Sequence, residues 1–352
     1  MSVAGALAAA TGCVTSAPAV PTRKKILVLG GTNFVGPAVV ERAVARGHEV
    51  TLFNRGITRP ELFPNVEKLR GLRAVDGGNL TALQGSRRWD AVIDVWPAQS
   101  QLVAHTAQLL ASRAEYYFLV SSIAVYRDFS VAGIDERAPV HENDPGWYGG
   151  EKVLAEQAVE RYFPDMAGVC RCHAILGPRD DGHAYHYWLR RMAMQQHVLA
   201  PGSGTDPVQY TDVRDVAQWI VDCVETDRPG IHNVVGPKPP MSMRRFLEGS
   251  RDALGSEANL VWADADLLRD EHDVRSFSDM PLWAPLDEDA GFYQIDGSKA
   301  LSAGIEYRPV GETARDTWRW YQSHFFRDTT FPVGGLGLST EREQTILDAL
   351  HR

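Results

Sequence analysis

Short apolar runs alternate along this chain with stretches that carry an amphipathic helical pattern. The apolar runs predict strands at residues 25–30, 49–53, 66–70, 90–95, 115–121 and 168–176. Helical patterns lie between them, at residues 38–46, 101–112 and 151–162. Strands that alternate with helices in this way are typical of a parallel, doubly wound sheet. We therefore expect an α/β protein.

The first apolar run ends in a glycine-rich turn. Residues 26–29 are followed by Gly30 and Gly31, and a helical pattern begins after Gly36. Glycine lets the chain turn sharply and approach a ligand closely, and a helix N-terminus directs its N–H groups and positive dipole end toward such a turn. A strand, a glycine turn, a helix and a second strand are the context of a dinucleotide site, so we expect a Rossmann-type sheet. The cofactor contacts expected here are Gly30, Thr32, Asn33, Phe34, Val35 and Gly36.

The same pattern divides the chain into parts. Residues 24–178 are predicted to form the NAD(P)-binding domain, and residues 211–235 return to its strand and helix alternation. Residues 179–210 and 236–328 lack that alternation and are rich in aromatic residues, which predicts a smaller C-terminal part that binds the substrate. Residues 329–352 are expected to be a C-terminal tail.

A tyrosine and a lysine stand four residues apart at a predicted helix start. This spacing places Tyr148 and Lys152 on one face of the helix. A nearby ammonium favours the phenolate and lowers the pKa of a phenol from its usual value of about 10. Tyr148 could then exchange a proton with a carbinol oxygen while hydride moves at the carbon. The alternative is a surface tyrosine beside a solvated lysine.

The strand at residues 115–121 leads into a pair of serines, Ser121 and Ser122. Ligands bind at the carboxyl ends of strands in an open α/β sheet. Ser122 can therefore hydrogen-bond the same substrate oxygen as Tyr148. The alternative is that Ser122 only caps a loop.

Composition narrows the class of protein. The 352 residues carry a formal net charge of −9 and a pI near 5.7, which speaks against a nucleic-acid partner. The chain contains no run of about 18 apolar residues, so no transmembrane segment is predicted. The four cysteines match no zinc spacing, so no metal site is predicted and reduced, structural thiols are expected. They are Cys13, Cys170, Cys172 and Cys223.

The N-terminus differs from the rest of the chain. Residues 1–21 carry no charge, and residues 10–13 are similar to the end of a bacterial lipoprotein signal with Cys13 as the lipidated residue. A basic leading segment is missing and the apolar stretch is short. Residues 1–23 are therefore expected to be a signal-like or a disordered segment. A signal-like segment would imply an exported or lipid-anchored protein, and a disordered segment would imply a cytoplasmic one.

Together these motifs resemble the extended branch of the short-chain dehydrogenase/reductases, the NAD-dependent epimerase/dehydratase family. The resemblance covers residues 24–325. Residues 30–36 are similar to its glycine turn, residues 121–126 to its "SSxxVY" strand end and residues 148–156 to its "YGxxKxxxE" helix. Residues 171–178 resemble its "RPxxxxGP" stretch and residues 209–215 its "HVxDVA" stretch.

The resemblance implies a role for each site residue. Tyr148 is the implied general acid/base, Lys152 its activator and Ser122 the donor that orients the substrate oxygen. A homodimer is also implied. His173 is expected either to line the nicotinamide pocket or to be a core histidine. The further expected cofactor contacts are Asn54, Arg55, Val95, Trp96, Val120, Tyr148, Lys152 and His173.

Four departures from the family pattern carry information. Asn33 replaces the middle glycine of the turn, and asparagine tolerates unusual backbone angles. Arg55 follows the second strand where an acidic residue would bind a ribose diol, so NADP is favoured over NAD, with stacking on the adenine as the alternative. Leu72 stands where an adenine-contacting Asp is expected. Residues 123 and 124 are Ile and Ala where sugar 4,6-dehydratases carry an acidic pair, so dehydration is not expected.

Substrate recognition is predicted from aromatic and polar residues around the expected cleft. Aromatic faces with polar tips suit a sugar-like small molecule, although a helix that packs its aromatic side chains in a core has the same composition. Residues 277–283 are a candidate lid. The expected substrate contacts are Tyr126, His183, Tyr187 and Arg214, and the candidate contacts for the pyrophosphate of a nucleotide sugar are Arg179, Arg190, Arg191 and Arg214.

Three functions remain open at this point. An epimerase or isomerase that oxidises and re-reduces one carbinol of a sugar-like substrate is expected ahead of the others. An NADPH-dependent reductase or dehydrogenase with an exchangeable cofactor is the alternative. A non-catalytic NAD(P)-binding or RNA-binding relative is the third, and the intact Ser122, Tyr148 and Lys152 argue against it.

Overall fold

The computed structural model describes residues 22–95, 99–142, 144–287, 289–324 and 330–350. Cys13 with the N-terminal segment, and Trp96, lie outside the described residues. The strands are β1 (Lys25–Leu29), β2 (Glu49–Asn54), β3 (Glu67–Arg70), β4 (Trp89–Asp94), β5 (Ala114–Ser122), β6 (Ala167–Cys172), β7 (Ala174–Leu176), β8 (His197–Pro201), β9 (Pro207–Val208), β10 (Tyr210–Asp212), β11 (Gly230–Val234), β12 (Met241–Ser242) and β13 (Asn259–Ala263). The helices are α1 (Val35–Ala45), α2 (Ser100–Leu110), α3 (Tyr148–Tyr162), α4 (Ala184–Met194), α5 (Val213–Glu225), α6 (Met243–Ala253), α7 (Ser298–Ser302), α8 (Val310–Ser323) and α9 (Thr340–Leu350).

Seven parallel strands form the central sheet, in the order β11-β6-β5-β4-β1-β2-β3. Helices α1 and α5 pack on one face and α2 and α3 on the other. Because helices cover both faces of the central strands, residues 26–29 are fully buried. Strands in this position are apolar throughout. The predicted Rossmann-type, doubly wound sheet is confirmed. The strand order reverses between β1 and β4, the place where such sheets bind ligands.

The predicted strand at residues 168–176 is divided in two. β6 ends at Cys172, and after His173 the chain leaves the central sheet so that β7 pairs with β10. The His173 Nδ1 accepts a hydrogen bond of 2.7 Å from the Ala174 N–H at this break. An apolar run reports that a strand is buried but not which strand it pairs with, so the sequence did not reveal the division.

A second apolar core lies in the smaller part of the chain, where α4, α6 and α8 pack with the β8–β13 and β9–β12 pairs. The expected tail contributes to this core, because Phe331, Leu338 and Ile346 are buried in it. The candidate lid at residues 277–283 contributes Met280, Leu282 and Trp283 to this core. Its Met280 and Trp283 are fully buried, which corrects the expectation of a mobile cover over the site.

The described part of the chain has neither a membrane-spanning helix nor a metal-binding cluster. None of its helices is both long enough and apolar enough to cross a membrane. No group of three or more His, Cys, Asp or Glu residues in it is arranged to hold a metal ion.

Candidate active site

A cavity of about 640 Å³ lies at the carboxyl ends of β1, β2 and β4. The structure brings most of the predicted cofactor residues together around it. New members of the lining include Arg73 and Asp181, which sequence patterns did not indicate. The predicted residues that line it are Gly30, Thr32, Asn33, Phe34, Val35, Asn54, Arg55 and Val95.

The glycine turn has the shape that a dinucleotide pyrophosphate requires. Gly31 has a φ of +89°, and a Cβ added to Gly36 would lie 2.7 Å from the Cα of Gly31. Helix α1 begins without a side-chain cap and without an acidic residue in its first turn. Its first N–H groups and its positive dipole end are therefore available to an anion. These residues fit an NAD(P) cofactor.

The unusual backbone of this turn is at Phe34 and not at Asn33. Phe34 has a φ of +41°, whereas Asn33 is not in the left-handed region. The side chain of Asn33 instead donates a hydrogen bond of 3.4 Å to the Asp181 carboxylate. The Asn33 contact thus joins the turn to the loop that precedes α4.

The end of β2 is organised by Asn54. Its amide donates to the Gly30 carbonyl at 2.9 Å, and its oxygen accepts from the Gly56 N–H at 3.0 Å and from the Arg70 guanidinium. Arg55 is exposed and lines the cavity. Among the described residues it has no hydrogen bond or ion pair. Two guanidinium groups, one of them not predicted, therefore lie where the second and third strands end.

Tyr148 is the first residue of α3 and is 46% exposed. Its hydroxyl is hydrogen-bonded to the side chain of Ser122. The Ser122 Oγ also accepts from the Ala124 N–H at 3.1 Å, so this serine caps a turn as well as facing the tyrosine. Burial raises the pKa of Tyr148 above its usual value, and the bond to Ser122 only partly offsets this. The direction is opposite to the expected one.

Lys152 lies one helical turn further along α3 and is buried. Its Nζ donates to the Val120 carbonyl at 2.8 Å and lies 5.9 Å from the centre of the Tyr148 ring. Burial lowers the pKa of Lys152 to about 8, against an opposing effect of the Asp94 charge. Val120, predicted as a cofactor contact, is therefore the residue that anchors this ammonium.

Asp94 was not predicted as a site residue. It ends β4 with no exposed surface, accepts from Arg73 at 2.8 and 2.7 Å, and accepts from the Tyr117 hydroxyl at 2.7 Å. A carboxylate directly after the apolar run at residues 91–93 was the available signal, since a buried charge needs partners. Its partner Arg73 lies well outside the family motifs.

Both ring nitrogens of His173 are hydrogen-bonded to backbone groups. Its Nε2–H donates to the Phe292 carbonyl at 2.9 Å, and its Nδ1 accepts from the Ala174 N–H. Burial lowers the pKa of His173 to about 4, so the imidazole is neutral. It can therefore offer a neighbouring ligand its ring surface but no proton.

The four expected substrate contacts are not brought together. Tyr126 and Tyr187 are fully buried; the Tyr126 hydroxyl donates to Asn233 at 2.7 Å, and the Arg191 guanidinium lies 3.7 Å from the centre of the Tyr187 ring. Both belong to the core, so neither is retained as a substrate contact. His183 is partly buried at the start of α4, two residues after Asp181.

Three of the four arginines considered for a pyrophosphate are bound to carboxylates. Arg179 pairs with Glu41 at 2.8 Å and Arg191 pairs with Glu343 at 2.8 Å. Arg214, also expected at the substrate, pairs with Asp212 at 2.8 Å and Asp316 at 2.5 Å. Arg190 lies on α4 with its Nε enclosed. The expectation of a phosphate clamp built from these residues is therefore not retained.

Comparison with known proteins establishes the family. A profile of the NAD dependent epimerase/dehydratase family matches residues 26–236. The chain therefore belongs to this family, and an NAD(P)-dependent oxidoreductase is the class of protein that its fold defines.

Curated relatives include both epimerase-family proteins and reductases. The chain is 29% identical over 249 residues to the epimerase family protein SDR39U1 of Bos taurus, covering 66% of this chain and 82% of that protein. It is 25% identical over 272 residues to 2'-dehydrokanamycin reductase of Streptomyces kanamyceticus, covering 74% and 75%. It is 25% identical over 236 residues to the chloroplast stem-loop binding protein of 41 kDa b of Arabidopsis thaliana, covering 62% and 60%.

Solved structures share the fold. A UDP-glucose 4-epimerase superposes with a TM-score of 0.66 at 15% identity, covering 85% of this chain and 98% of that one. The enzyme WbmH of Bordetella bronchiseptica, solved with NAD+, gives a TM-score of 0.65 at 16% identity, covering 86% and 99%.

Proposed function

We propose that this protein is an NADPH-dependent carbonyl reductase, acting in reverse as a carbinol dehydrogenase, with Tyr148 as its acid/base. The observation that supports this most directly is the half-exposed Tyr148, hydrogen-bonded to Ser122 and placed over the buried ammonium of Lys152. All three lie on the side of the sheet where the strands end, which is also the side of the glycine turn. A bound NADPH would supply the hydride to the carbonyl carbon.

Each of the three residues has a separate task in this proposal. Tyr148 gives its proton to the carbonyl oxygen as that oxygen gains charge. Ser122 holds the oxygen in place, because its hydroxyl donates to the same atom. Lys152, with a pKa of about 8, is mainly protonated at neutral pH, and its charge offsets the phenolate that remains on Tyr148.

The end of β2 supports NADP over NAD. Only NADP carries a 2'-phosphate, and a guanidinium binds phosphate through two parallel hydrogen bonds. Arg55 lines the cavity at the end of β2. Arg70 ends the neighbouring strand β3 with its guanidinium on Asn54. No carboxylate follows β2 to accept the ribose hydroxyls that NAD presents.

Two observations favour a reductase over the epimerase that the sequence first suggested. Three of the arginines considered for a nucleotide-sugar pyrophosphate are paired with carboxylates. Arg55, which lines the cavity at the end of β2, favours NADP, and NADP serves mainly as a dissociable reductant. A 2'-dehydrokanamycin reductase is also among the relatives. RNA binding is not proposed, since the net charge is −9.

The first test requires no substrate. The protein is purified without added nucleotide and denatured, and the released small molecules are identified by mass spectrometry. We expect a protein free of nucleotide that then binds NADPH reversibly and more tightly than NADH. Near-stoichiometric NAD or NADP that stays bound through purification would instead support an epimerase, which regenerates its cofactor in every turnover.

A further inference from the structure

Five aromatic side chains form a cluster beyond the carboxyl ends of β5 and β6, and the proposed reaction does not yet use it. Phe292 lies at its centre, with ring centres 5.2 Å from Phe129, 4.6 Å from His173, 4.7 Å from Phe277 and 5.0 Å from Tyr293. The His173 and Tyr293 rings are stacked at 4.4 Å. We call these five residues the aromatic cluster.

The position of the aromatic cluster follows from the register of the sheet. Cys172 is the Cα partner of Ser122 in the β5–β6 pair, and His173 comes next in the chain. Phe129 follows β5 beyond Ser122, and the Gly291 N–H donates to its carbonyl at 2.7 Å. The cluster therefore joins the catalytic end of the sheet to residues 277–293 of the smaller part.

Phe129 and Phe292 pack against a small core that includes Ile123 and Ile295, but this packing leaves four of the five rings partly exposed. Phe129, His173, Phe277 and Phe292 are each only partly buried, unlike the fully buried rings of the two main cores. Phe277 also has a φ of +58°, a conformation that costs a bulky residue free energy and is typical of functional positions. Partly exposed rings beyond the carboxyl ends of β5 and β6 present an apolar surface to a substrate.

The Tyr293 hydroxyl is an unused polar group within this cluster. The residue is 2% exposed, and its hydroxyl makes no hydrogen bond within the described part of the chain. It is not one of the fully enclosed side-chain atoms that lack a partner. The oxygen therefore borders open space and can bond a polar group of a ligand. Such a bond would recover the free energy lost on burying this hydroxyl.

We propose that the aromatic cluster is a subsite for a planar aromatic ring, and that the substrate is an aryl ketone or aryl aldehyde. This inference rests on the proposed function. The Tyr293 hydroxyl bonds a polar ring substituent such as a phenol. Hydride from NADPH forms the new C–H bond, the carbonyl π bond breaks, and Tyr148 supplies the proton, giving an aryl carbinol and NADP+.

Paired ketones test the ring preference. NADPH oxidation is measured with acetophenone and with cyclohexyl methyl ketone, which share a carbon skeleton and differ in the planarity and aromaticity of the ring. The acetophenone carbonyl is also conjugated with its ring, so the preference is compared between wild type and variants. We expect kcat/KM for acetophenone to be about 10-fold higher, since aromatic pairs contribute about 0.5–1.5 kcal/mol beyond area burial. F277L should remove most of that preference by raising KM. F63L, which changes another partly buried phenylalanine with positive φ outside the site, should keep it.

The hydroxyl of Tyr293 is tested with a second ligand pair. Y293F should lower kcat/KM about 10-fold more for 4-hydroxyacetophenone than for acetophenone, because only the first ketone offers a polar partner to the hydroxyl. Y162F, at a partly buried tyrosine of α3, is the matched control and should affect neither ketone. Equal losses for both ketones in Y293F would overturn the role given to the hydroxyl.

Binding measurements separate failure of the subsite from failure of the proposed function. Saturation-transfer difference NMR compares 1-phenylethanol with 1-cyclohexylethanol in the presence of NADP+. If neither ketone is turned over but the aryl alcohol binds preferentially and F277L weakens it, the subsite stands and the reductase proposal fails. If the saturated ketone is reduced equally well, or the two alcohols bind alike, the subsite is overturned.

Discussion

At the residue scale, the pKa of Tyr148 is shifted in the direction opposite to the one expected from the sequence. The protein alone raises the pKa of this phenol through burial, which keeps its proton in place for donation to a carbonyl oxygen. We expect Y148F to lower turnover about 10²-fold or more, the usual contribution of general acid/base help. Steady-state rates on a reducible substrate check this.

The affinity for NADPH is the control measurement for Y148F. Removing one hydroxyl leaves the helix and the glycine turn intact, so the dissociation constant for NADPH should change little. A Y148F enzyme that retains near wild-type turnover would remove Tyr148 from the reaction.

Lys152 is predicted to lower stability while it supports catalysis. A lysine with a pKa lowered from 10.5 to about 8 costs the folded state about 3 kcal/mol at neutral pH. That cost is fully present below pH 8 and is relieved as the pH rises toward 10.5, because the folded protein releases this proton first. We expect K152M to unfold at higher urea concentration than wild type at pH 7 but to lose activity.

The pH dependence distinguishes this explanation from simple repacking. Between pH 7 and pH 9.5 the advantage of K152M over wild type should shrink by about 2 kcal/mol as Lys152 loses its charge. K25M, at an exposed lysine, should show no such change. A constant difference between K152M and wild type across this range would contradict the assigned cost.

Arg55 should determine the choice of cofactor. We expect R55A to weaken NADPH binding about 10-fold or more and NADH binding by less than 2-fold, because only the 2'-phosphate is in question. Fluorescence titration with each nucleotide measures both constants. R88A, an exposed arginine at the amino end of β4, is the control. Equal losses for the two nucleotides would favour stacking on the adenine.

At the residue level, the sequence predicted local geometry. The glycine turn at residues 30–36 and the position of Lys152 one helical turn after Tyr148 depend on local spacing, and the structure has both. The roles of these residues stay predictions. The sequence did not distinguish the two roles open to Tyr126 and Tyr187, because a sequence cannot tell an aromatic ring that packs in a core from one that lines a cleft. Arg70 and Asp94 were missed because their partners lie 16 and 21 residues away along the chain.

At the scale of elements, a buried ion pair joins α3 to β6. Glu156 accepts from Arg171 at 3.1 and 2.7 Å and from the Ser121 hydroxyl at 2.5 Å. The two family motifs that contain Glu156 and Arg171 therefore meet in the interior. Their ion pair fixes α3 against β6, the strand that follows it.

Breaking this pair should be costly. We expect E156A to lower the free energy of unfolding by about 3–5 kcal/mol, since it leaves the Arg171 charge buried and unpaired. E160A, at an exposed glutamate of the same helix, should change it by less than about 0.5 kcal/mol. Urea unfolding measures both. A double variant E156L/R171M that is no more stable than E156A would contradict the unpaired charge as the cause.

Element prediction succeeded where both faces of a strand are buried. The run at residues 26–29 reads as a central strand because every side chain meets a helix layer. It failed at His173, where the strand changes partner within a continuous apolar stretch. Pairing is decided by residues far along the chain, here residues 210–212, and no local pattern reports it.

At the scale of the whole molecule, the C-terminal segment completes the smaller part. Helix α9 places Glu343 in the interior, where it accepts from the Arg191 guanidinium at 2.8 Å and from the Leu199 N–H at 3.1 Å. These contacts join α9 to α4 and β8 over about 150 residues of chain. The sequence predicted only a tail here, because a short amphipathic helix shows nothing of the distant surface that it covers.

We expect E343A to destabilise the fold without changing cofactor recognition. The substitution leaves the 2% exposed Arg191 with the Leu338 carbonyl but no carboxylate to balance its charge, and leaves the Leu199 N–H without a partner. The expected loss is about 3–5 kcal/mol in the free energy of unfolding. Glu343 does not line the cofactor cavity, so the dissociation constant for NADPH at 20 °C should stay within 2-fold of wild type. E341A, exposed on the same helix, is the control for both measurements. An E343A protein with wild-type stability would show that α9 is not needed to hold the smaller part together.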